Sequence, residues 1–412
     1  MNNLSWRYAM KKSLLALAVA GAFSGAAFAQ SSVTLFGLVD TGISYYAGDG
    51  NGHIWAMSNS GLNSSRFGVR GTEDLGGGLK ANFWLEGSVN TDNGTGAGSN
   101  TNNQASGGGA SSTCTVAGAT PAPPATAVTC TSTTSPNGTQ GFTFNRRMFV
   151  GLSGGFGELR LGRNYTPLFW QITNNDPFGT NGVGDTKIYA LTGLTGASVV
   201  QTTVRASNAI EYLTPPGIGG VYFHGMYALG ENPSGSGSAT GLTSNPNSKD
   251  GNTVGARLGY AGGPVDISIA YNDTSYFKTP TNTQGTFTGV AISTTLTFGN
   301  FKPMAQYVRN KIDLASGAAN ESDNWMLGMV MTFGATDLRV SYNKYNIKNS
   351  SNDGQQFAIG PVYNMSRRTA LYATYALMDN QGTNTNFVTG GRPAFTAGGK
   401  TTGIDMGIRH SF

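Results

Sequence analysis

The stretch that decides the fold reads Asn145-Arg-Arg-Met-Phe-Val-Gly-Leu-Ser-Gly-Gly-Phe-Gly-Glu-Leu-Arg-Leu-Gly-Arg-Asn-Tyr-Thr-Pro167. Two short runs of alternating apolar and polar residues flank the segment Ser153–Gly157. This pattern predicts a β-hairpin, because glycine adopts the positive φ that tight turns require. After Gly162–Tyr165 the chain enters about forty residues without a clear period, and alternation returns at Arg205. A loop of that length is normally functional or disordered.

The same alternation recurs along the whole chain and predicts sixteen strands. A clear example is Val265–Tyr271, in which every second residue is a large apolar one. Short glycine-containing turns alternate with long polar loops, such as the predicted loop between Ala47 and Gly61. An even number of strands without free edges predicts an all-β fold, a 16-stranded antiparallel transmembrane β-barrel with both termini at the turn end. We expect the third long loop, residues 164–204, to fold inward into the lumen.

The N-terminus indicates export. Lys11 and Lys12 precede the apolar run Leu14–Ala22, and Ala27–Ala29 completes an A-x-A cleavage site before Gln30. This pattern predicts a signal peptide over residues 1–29 and a mature barrel over residues 30–412. No later run approaches the length that a membrane-spanning helix needs.

Charge and composition narrow the function. Cleavage of the predicted signal peptide removes Arg7, Lys11 and Lys12, so the formal net charge falls from +5 to +2. This small charge gives no reason to expect a nucleic-acid partner. Met10, just before the two lysines, is an alternative start. With 61 glycines in 412 residues and 11% charged residues, the composition suits a low-complexity secreted chain, a β-solenoid or a membrane barrel. Composition alone does not distinguish these three classes.

The cysteines suggest a disulfide bond, and the histidines give no indication of a metal or cofactor site. Cys114 and Cys130 lie within one polar stretch, Asn90–Gln140, which we interpret as a surface loop. In an oxidising compartment they are candidates for a disulfide that closes this loop. The three histidines have no ligand spacing, so we expect neither a metal site nor a cofactor.

Four segments resemble the trimeric general-diffusion porins of Gram-negative bacteria, the β-proteobacterial type in particular. They are Val33–Asp40, Ser65–Leu75, Phe149–Tyr165 and the C-terminal strand that ends in Phe412. The resemblance covers the mature chain. It implies a homotrimer in contact with outer-membrane lipid and lipopolysaccharide, a passage for ions and small hydrophilic solutes, and Phe412 as a barrel-assembly signal.

The resemblance also implies a constriction with an electric field across it. Its basic side would carry Arg66, Arg70, Arg163 and Arg205, and Glu86 matches a lumenal glutamate. Arg147 is added from strand alternation. Asp176 and Asp185 are the acidic candidates of the loop, which lacks the glutamate that the family often has there. Alternation supports part of this set, because Arg66 and Arg70 share one face and a charge on the lipid face costs roughly 2–4 kcal/mol at the midplane. It also places Arg147 inside and Arg146 near a membrane interface. Arg163 faces inward only if a bulge or the loop break resets the phase of its strand.

Passive transport with a mild anion preference is therefore the predicted function, and we expect no enzyme activity. A solute-specific channel is a variant that the sequence leaves open. An adhesin that uses the loop Asn90–Gln140 is a less favoured alternative. A barrel protease or phospholipase would need a nucleophile or base at the barrel mouth, and no such constellation is visible in the sequence.

Overall fold

The computed structural model describes residues 32–50, 52–100, 103, 112–114, 130–132, 142–186, 201–231, 249–276, 284–314, 317, 319–384, 388 and 396–412. The predicted signal peptide lies outside these ranges. Within them, no helix is long and apolar enough to cross a bilayer.

Strands make up most of the described chain. The N-terminal half contains β1 (Ser32–Gly48), β2 (His53–Asn59), β3 (Arg66–Gly76), β4 (Leu79–Ser88), β5 (Ser112–Cys114), β6 (Cys130–Ser132), β7 (Arg147–Gly154), β8 (Gly157–Tyr165) and β9 (Arg205–Leu213). The C-terminal half contains β10 (Val221–Ala228), β11 (Thr253–Gly262), β12 (Val265–Ser275), β13 (Gln284–Leu296), β14 (Phe301–Leu314), β15 (Ala319–Phe333), β16 (Thr336–Ile347), β17 (Gly354–Asn364), β18 (Thr369–Asn380) and β19 (Lys400–Ser411). Between β8 and β9 lie the helix α1 (Pro167–Asn174) and a 3-10 turn (Gln201–Thr203).

One closed antiparallel sheet contains every strand except β5 and β6, which pair only with each other. Both β2 and β3 pair with β1, one with its second half and one with its first, so they are two segments of a single barrel strand. The barrel therefore has sixteen strands, as predicted. It closes where β1 pairs with β19, and Gly37 and Phe412 exchange backbone hydrogen bonds of 3.1 Å at the end of this seam.

The two faces of the strands differ as the alternation predicted. Outward side chains are large and apolar, and Val33, Val150 and Leu327 are 60–70% exposed. Inward side chains are polar and buried, as Asn310 and Gln356 are. A continuous exposed apolar surface around a polar interior is the arrangement that a bilayer requires of a barrel.

Two local predictions were wrong. The predicted loop between Ala47 and Gly61 contains β2, because residues 53–59 find hydrogen-bond partners in the extended second half of β1. The region 164–204 had no predicted element, yet it begins with α1. Thr166 starts this helix by accepting a hydrogen bond from the Phe169 backbone N–H at 3.1 Å, and Pro167 occupies the first turn, where it needs no donor.

Candidate functional site: the lumen beside the inward loop

The loop after β8, called the constriction loop here, is attached to the lumen wall through α1. Leu168 and Ile172 are fully buried in an apolar cluster with residues of β12–β14. Space for Leu168 exists because Gly289 faces it: a Cβ at Gly289 would lie 2.5 Å from the leucine Cδ2. The wall thus holds the helix by close packing as well as by its polar groups.

Gln171 supplies the polar attachment of α1. Its Oε1 accepts hydrogen bonds from Arg257 Nε and from Ser268 Oγ, both at 2.7 Å, and its Nε2 donates to the Ser268 carbonyl at 2.8 Å. The residue is fully buried. Sequence reasoning missed it, because a lone glutamine in an unassigned loop carries no signal.

The segment around Val183 attaches the loop at the barrel seam. Asp405 of β19 accepts a hydrogen bond from the Val183 backbone N–H at 2.8 Å and another from Ser44 Oγ of β1. Gly182 has a φ of +62°, and a Cβ there would lie 2.1 Å from the Gly61 carbonyl oxygen. Only glycine fits this close, left-handed turn. The constriction loop is therefore bound to the wall at two separated places.

Asp176 organises the loop between these two places. Its Oδ1 accepts from the Phe178 N–H at 2.9 Å, and its Oδ2 accepts from the Thr180 N–H at 2.8 Å and from Thr186 Oγ1 at 3.0 Å. Burial, followed by the charge of Asp185, raises the pKa of Asp176 to about 6. The carboxylate therefore serves the fold of the loop.

Basic residues gather in a cavity of about 840 Å³ between the constriction loop and the wall formed by β1, β3, β4 and β7–β9. Among the residues that the structure describes, its charged lining consists of five arginines and one glutamate: Arg66, Arg146, Arg147, Arg163, Arg205 and Glu86. The loop side contributes neutral groups such as Thr173 and Asn181. The cavity is therefore strongly electropositive.

Glu86 neutralises only part of this charge. It is buried, and its Oε1 lies 2.7 Å from Arg146 Nε and 3.5 Å from Arg66 Nη1. Its Oε2 accepts a hydrogen bond from Trp84 Nε1 at 2.9 Å. The prediction that Arg146 lies near a membrane interface is wrong. Arg146 precedes the first residue of β7, so strand alternation does not set its direction.

Arg147 and Arg70 rest on aromatic rings. The guanidinium carbon of Arg147 lies 5.0, 4.9 and 4.8 Å from the ring centroids of Trp84, Tyr165 and Trp170. That of Arg70 lies 5.0 Å from Trp84 and 5.4 Å from Phe36. Neither arginine forms a salt bridge with a carboxylate of the described residues. Their charges are therefore left for the lumen.

Arg205 and Arg163 also lie on this wall and are bound to protein groups. Arg205 donates from Nη2 to the Tyr165 hydroxyl at 3.0 Å and lies 4.5 Å from the centre of that ring. Arg163 donates to the Asn145 carbonyl at 2.6 Å, the Asn100 carbonyl at 3.0 Å and Ser207 Oγ at 2.7 Å. Both line the cavity, so their charges contribute to its potential while their hydrogen bonds brace the loops.

A register irregularity does occur beside Arg163, but its extra residue lies on β9, where two residues oppose one. Arg163 stays opposite Met148, which is 53% exposed on the lipid-facing side. Its side chain nevertheless lines both the lumenal cavity and an external groove.

The predicted acidic residues are divided between two places. Glu86 lies among the arginines, whereas Asp176 and Asp185 do not line their cavity. Asp185 lines a second cavity of about 690 Å³, which also contains Asp92 and Asp405. The two cavities share Ser64, Thr180 and Asn181 of the intervening rim. Negative and positive charges thus lie in two adjoining cavities.

Comparisons with known proteins agree with this architecture. The model of a family described as Gram-negative porin matches residues 16–383. The chain is 33% identical over 413 residues to outer membrane porin protein 32 of Delftia acidovorans, covering 98% of this chain and 100% of the relative. It is 28% identical over 449 residues to an outer membrane porin of Bordetella pertussis, with 98% and 100% coverage.

A solved structure, the anion-selective porin from Comamonas acidovorans, superposes with a TM-score of 0.72 at 29% identity, covering 93% of this chain and 100% of that chain. The sixteen-stranded barrel, the inward loop and these relatives support one assignment. The chain belongs to the Gram-negative porin family and is an integral outer-membrane β-barrel whose polar lumen lets ions and small hydrophilic solutes diffuse passively.

Proposed function

We propose that this porin prefers anions mildly and that its arginine cavity sets the preference. The observation that carries the proposal is the imbalance of five arginines against one glutamate where the constriction loop meets the wall. Charges of one sign in a cleft with low-dielectric walls raise the local concentration of oppositely charged ions. The name of the similar Comamonas acidovorans structure points in the same direction.

The preference is expected to be modest for two reasons. A permeating ion about 7 Å from an unpaired charge gains only about 0.6 kcal/mol in water, and salt screens part of that energy. In addition, Asp92, Asp185 and Asp405 line the neighbouring cavity, so anions also pass a region of opposite sign. We assign the basic side of the passage to Arg66, Arg70, Arg147, Arg163 and Arg205, with Arg146 added to the predicted set.

Assembly and processing complete the proposal. Residues 1–29 are removed as a signal peptide, three mature barrels associate, and outer-membrane lipid and lipopolysaccharide surround the trimer. Phe412 serves as the assembly signal at the end of the closing seam. Cys114 and Cys130 form a disulfide in the external loop, a pairing that the backbone register of β5 and β6 supports because it places the two residues opposite each other.

The zero-current potential of the purified protein in a planar bilayer, under a KCl gradient, tests the proposal. Anion preference gives the sign of the chloride equilibrium potential, and its size falls as the mean salt concentration rises. Large ohmic conductance steps that close in thirds support the trimer. A potential of the sign for potassium overturns the anion preference, and a potential that does not change with salt overturns its electrostatic origin.

A further inference from the structure

The setting of Arg147 differs from that of the other cavity arginines. Three of them donate guanidinium hydrogen bonds to the protein: Arg146 to Glu86, Arg163 to a backbone carbonyl, and Arg205 to a tyrosine hydroxyl. Arg147 instead contacts three aromatic rings, whose centroids lie within 5.0 Å of its guanidinium carbon. Its Nε is buried without a hydrogen-bond partner among the described residues, so only its terminal Nη1 and Nη2 groups are placed to meet a ligand.

This arrangement leaves the terminal N–H groups of Arg147 for a ligand. A ring attracts the face of a guanidinium, whereas the N–H groups point outward in its plane. A planar carboxylate is the ligand that fits such a fork, through two parallel hydrogen bonds. Arg70 also contacts the Trp84 ring, at 5.0 Å, as well as the Phe36 ring, and adds a second positive charge on the same wall.

The rings beside Arg147 provide a second recognition element. Trp84 belongs to the wall strand β4 and Trp170 to α1 of the constriction loop, and both are half-buried and line the cavity. A ligand that binds Arg147 therefore has an indole within reach on the wall and another on the loop. Aromatic pairs contribute about 0.5–1.5 kcal/mol beyond their buried area. An aliphatic ligand of equal charge and size does not gain this contribution.

We propose that Arg147, Trp84 and Trp170 form a binding subsite for the carboxylates of aromatic acids, with the carboxylate on the guanidinium and the acid's ring against an indole. This inference rests on the proposed anion preference and narrows it to a solute class. The expected consequence is that an aromatic carboxylate dwells longer in the pore than its saturated counterpart.

Block of the chloride current tests this subsite. Benzoate and cyclohexanecarboxylate carry the same charge and nearly the same size, and only benzoate has an aromatic ring. We expect benzoate to half-block the wild-type current at about a three- to tenfold lower concentration, which is the fold-change that the aromatic contribution corresponds to. Equal half-blocking concentrations in the wild-type channel overturn the inference without any variant.

Variants assign the effect to the rings. In Trp170→Leu the preference for benzoate should fall to about twofold or less, because one indole is lost while Arg147 remains. Trp325→Leu is the matched control, since Trp325 is 55% exposed on the outer face of the barrel. An unchanged benzoate preference in Trp170→Leu overturns the inference. The zero-current potential measured in the same bilayers separates the two proposals, because an anion-preferring channel without ring discrimination contradicts only this one.

Discussion

Gln171→Leu is the most informative change to the constriction loop. It removes the side-chain hydrogen bonds that attach α1 to the barrel wall, while the side-chain volume stays nearly the same. The three hydrogen bonds of Gln171 connect α1 to Arg257 and Ser268, and one of their donors is charged. Leaving such buried groups without partners costs roughly 3–5 kcal/mol in all. The buried side chains of Leu168 and Ile172 each still favour docking by about 1.5–3 kcal/mol.

The lost hydrogen-bond energy is similar in size to the remaining energy of apolar burial. We therefore predict that the loop leaves the wall often enough to be seen in recordings. A loss of 3–5 kcal/mol shifts the docked-to-released ratio by roughly two to four powers of ten. In single-channel recordings we expect greater open-channel noise in Gln171→Leu, with brief excursions to higher conductance. Gln381→Leu, the same change in an exposed loop position, is the control. Noise and conductance equal to those of the wild type in Gln171→Leu would refute the anchoring role.

Three further results are expected. Glu86→Gln removes the one carboxylate among the cavity-lining arginines and should raise the anion-to-cation permeability ratio about two- to threefold, as measured by the zero-current potential; a fall in the ratio contradicts this. The pKa of Asp176 is raised to about 6, so the docked loop binds a proton more readily than the released loop. Docking should strengthen as the pH falls from about 7 to about 4, seen as quieter channels, and Asp176→Asn should reduce this pH dependence. Cys114 and Cys130 should react with a maleimide only after reduction; reaction of the untreated, unfolded protein argues against the disulfide.

Strand alternation was enough to predict the barrel. In β1 and β19, each residue alternates between a lipid-facing and a lumen-facing position, and that local period survives in any closed sheet. The same rule placed Arg66, Arg70 and Arg147 on the inner face. These positions depend only on neighbours along the strand, so a single sequence contains the information.

The remainder of the site depends on contacts between distant segments. The ring contacts of Arg147 bring together β4, β7, β8 and α1, and no local pattern reveals that meeting. Likewise, Asp176 is placed by a turn that forms only when its carboxylate accepts hydrogen bonds from the residues after it, and the strand pattern does not predict that turn. One signal was overlooked: Thr166 followed by Pro167 is a typical helix start, and it could have identified α1. Arg146 was misplaced because alternation was extended beyond the end of its strand.

The most direct test of the central claim compares zero-current potentials of matched arginine variants under one KCl gradient. Arg70→Gln combined with Arg147→Gln removes two lumenal charges that no described carboxylate pairs, whereas Arg309→Gln removes an exposed arginine that pairs with Asp323. We expect the double variant to lose a clear part of the anion preference, because four cavity-lining arginines remain, and Arg309→Gln to keep all of it. An unchanged potential in the double variant, in channels of normal conductance, would contradict the claim that the arginine cavity sets ion selectivity.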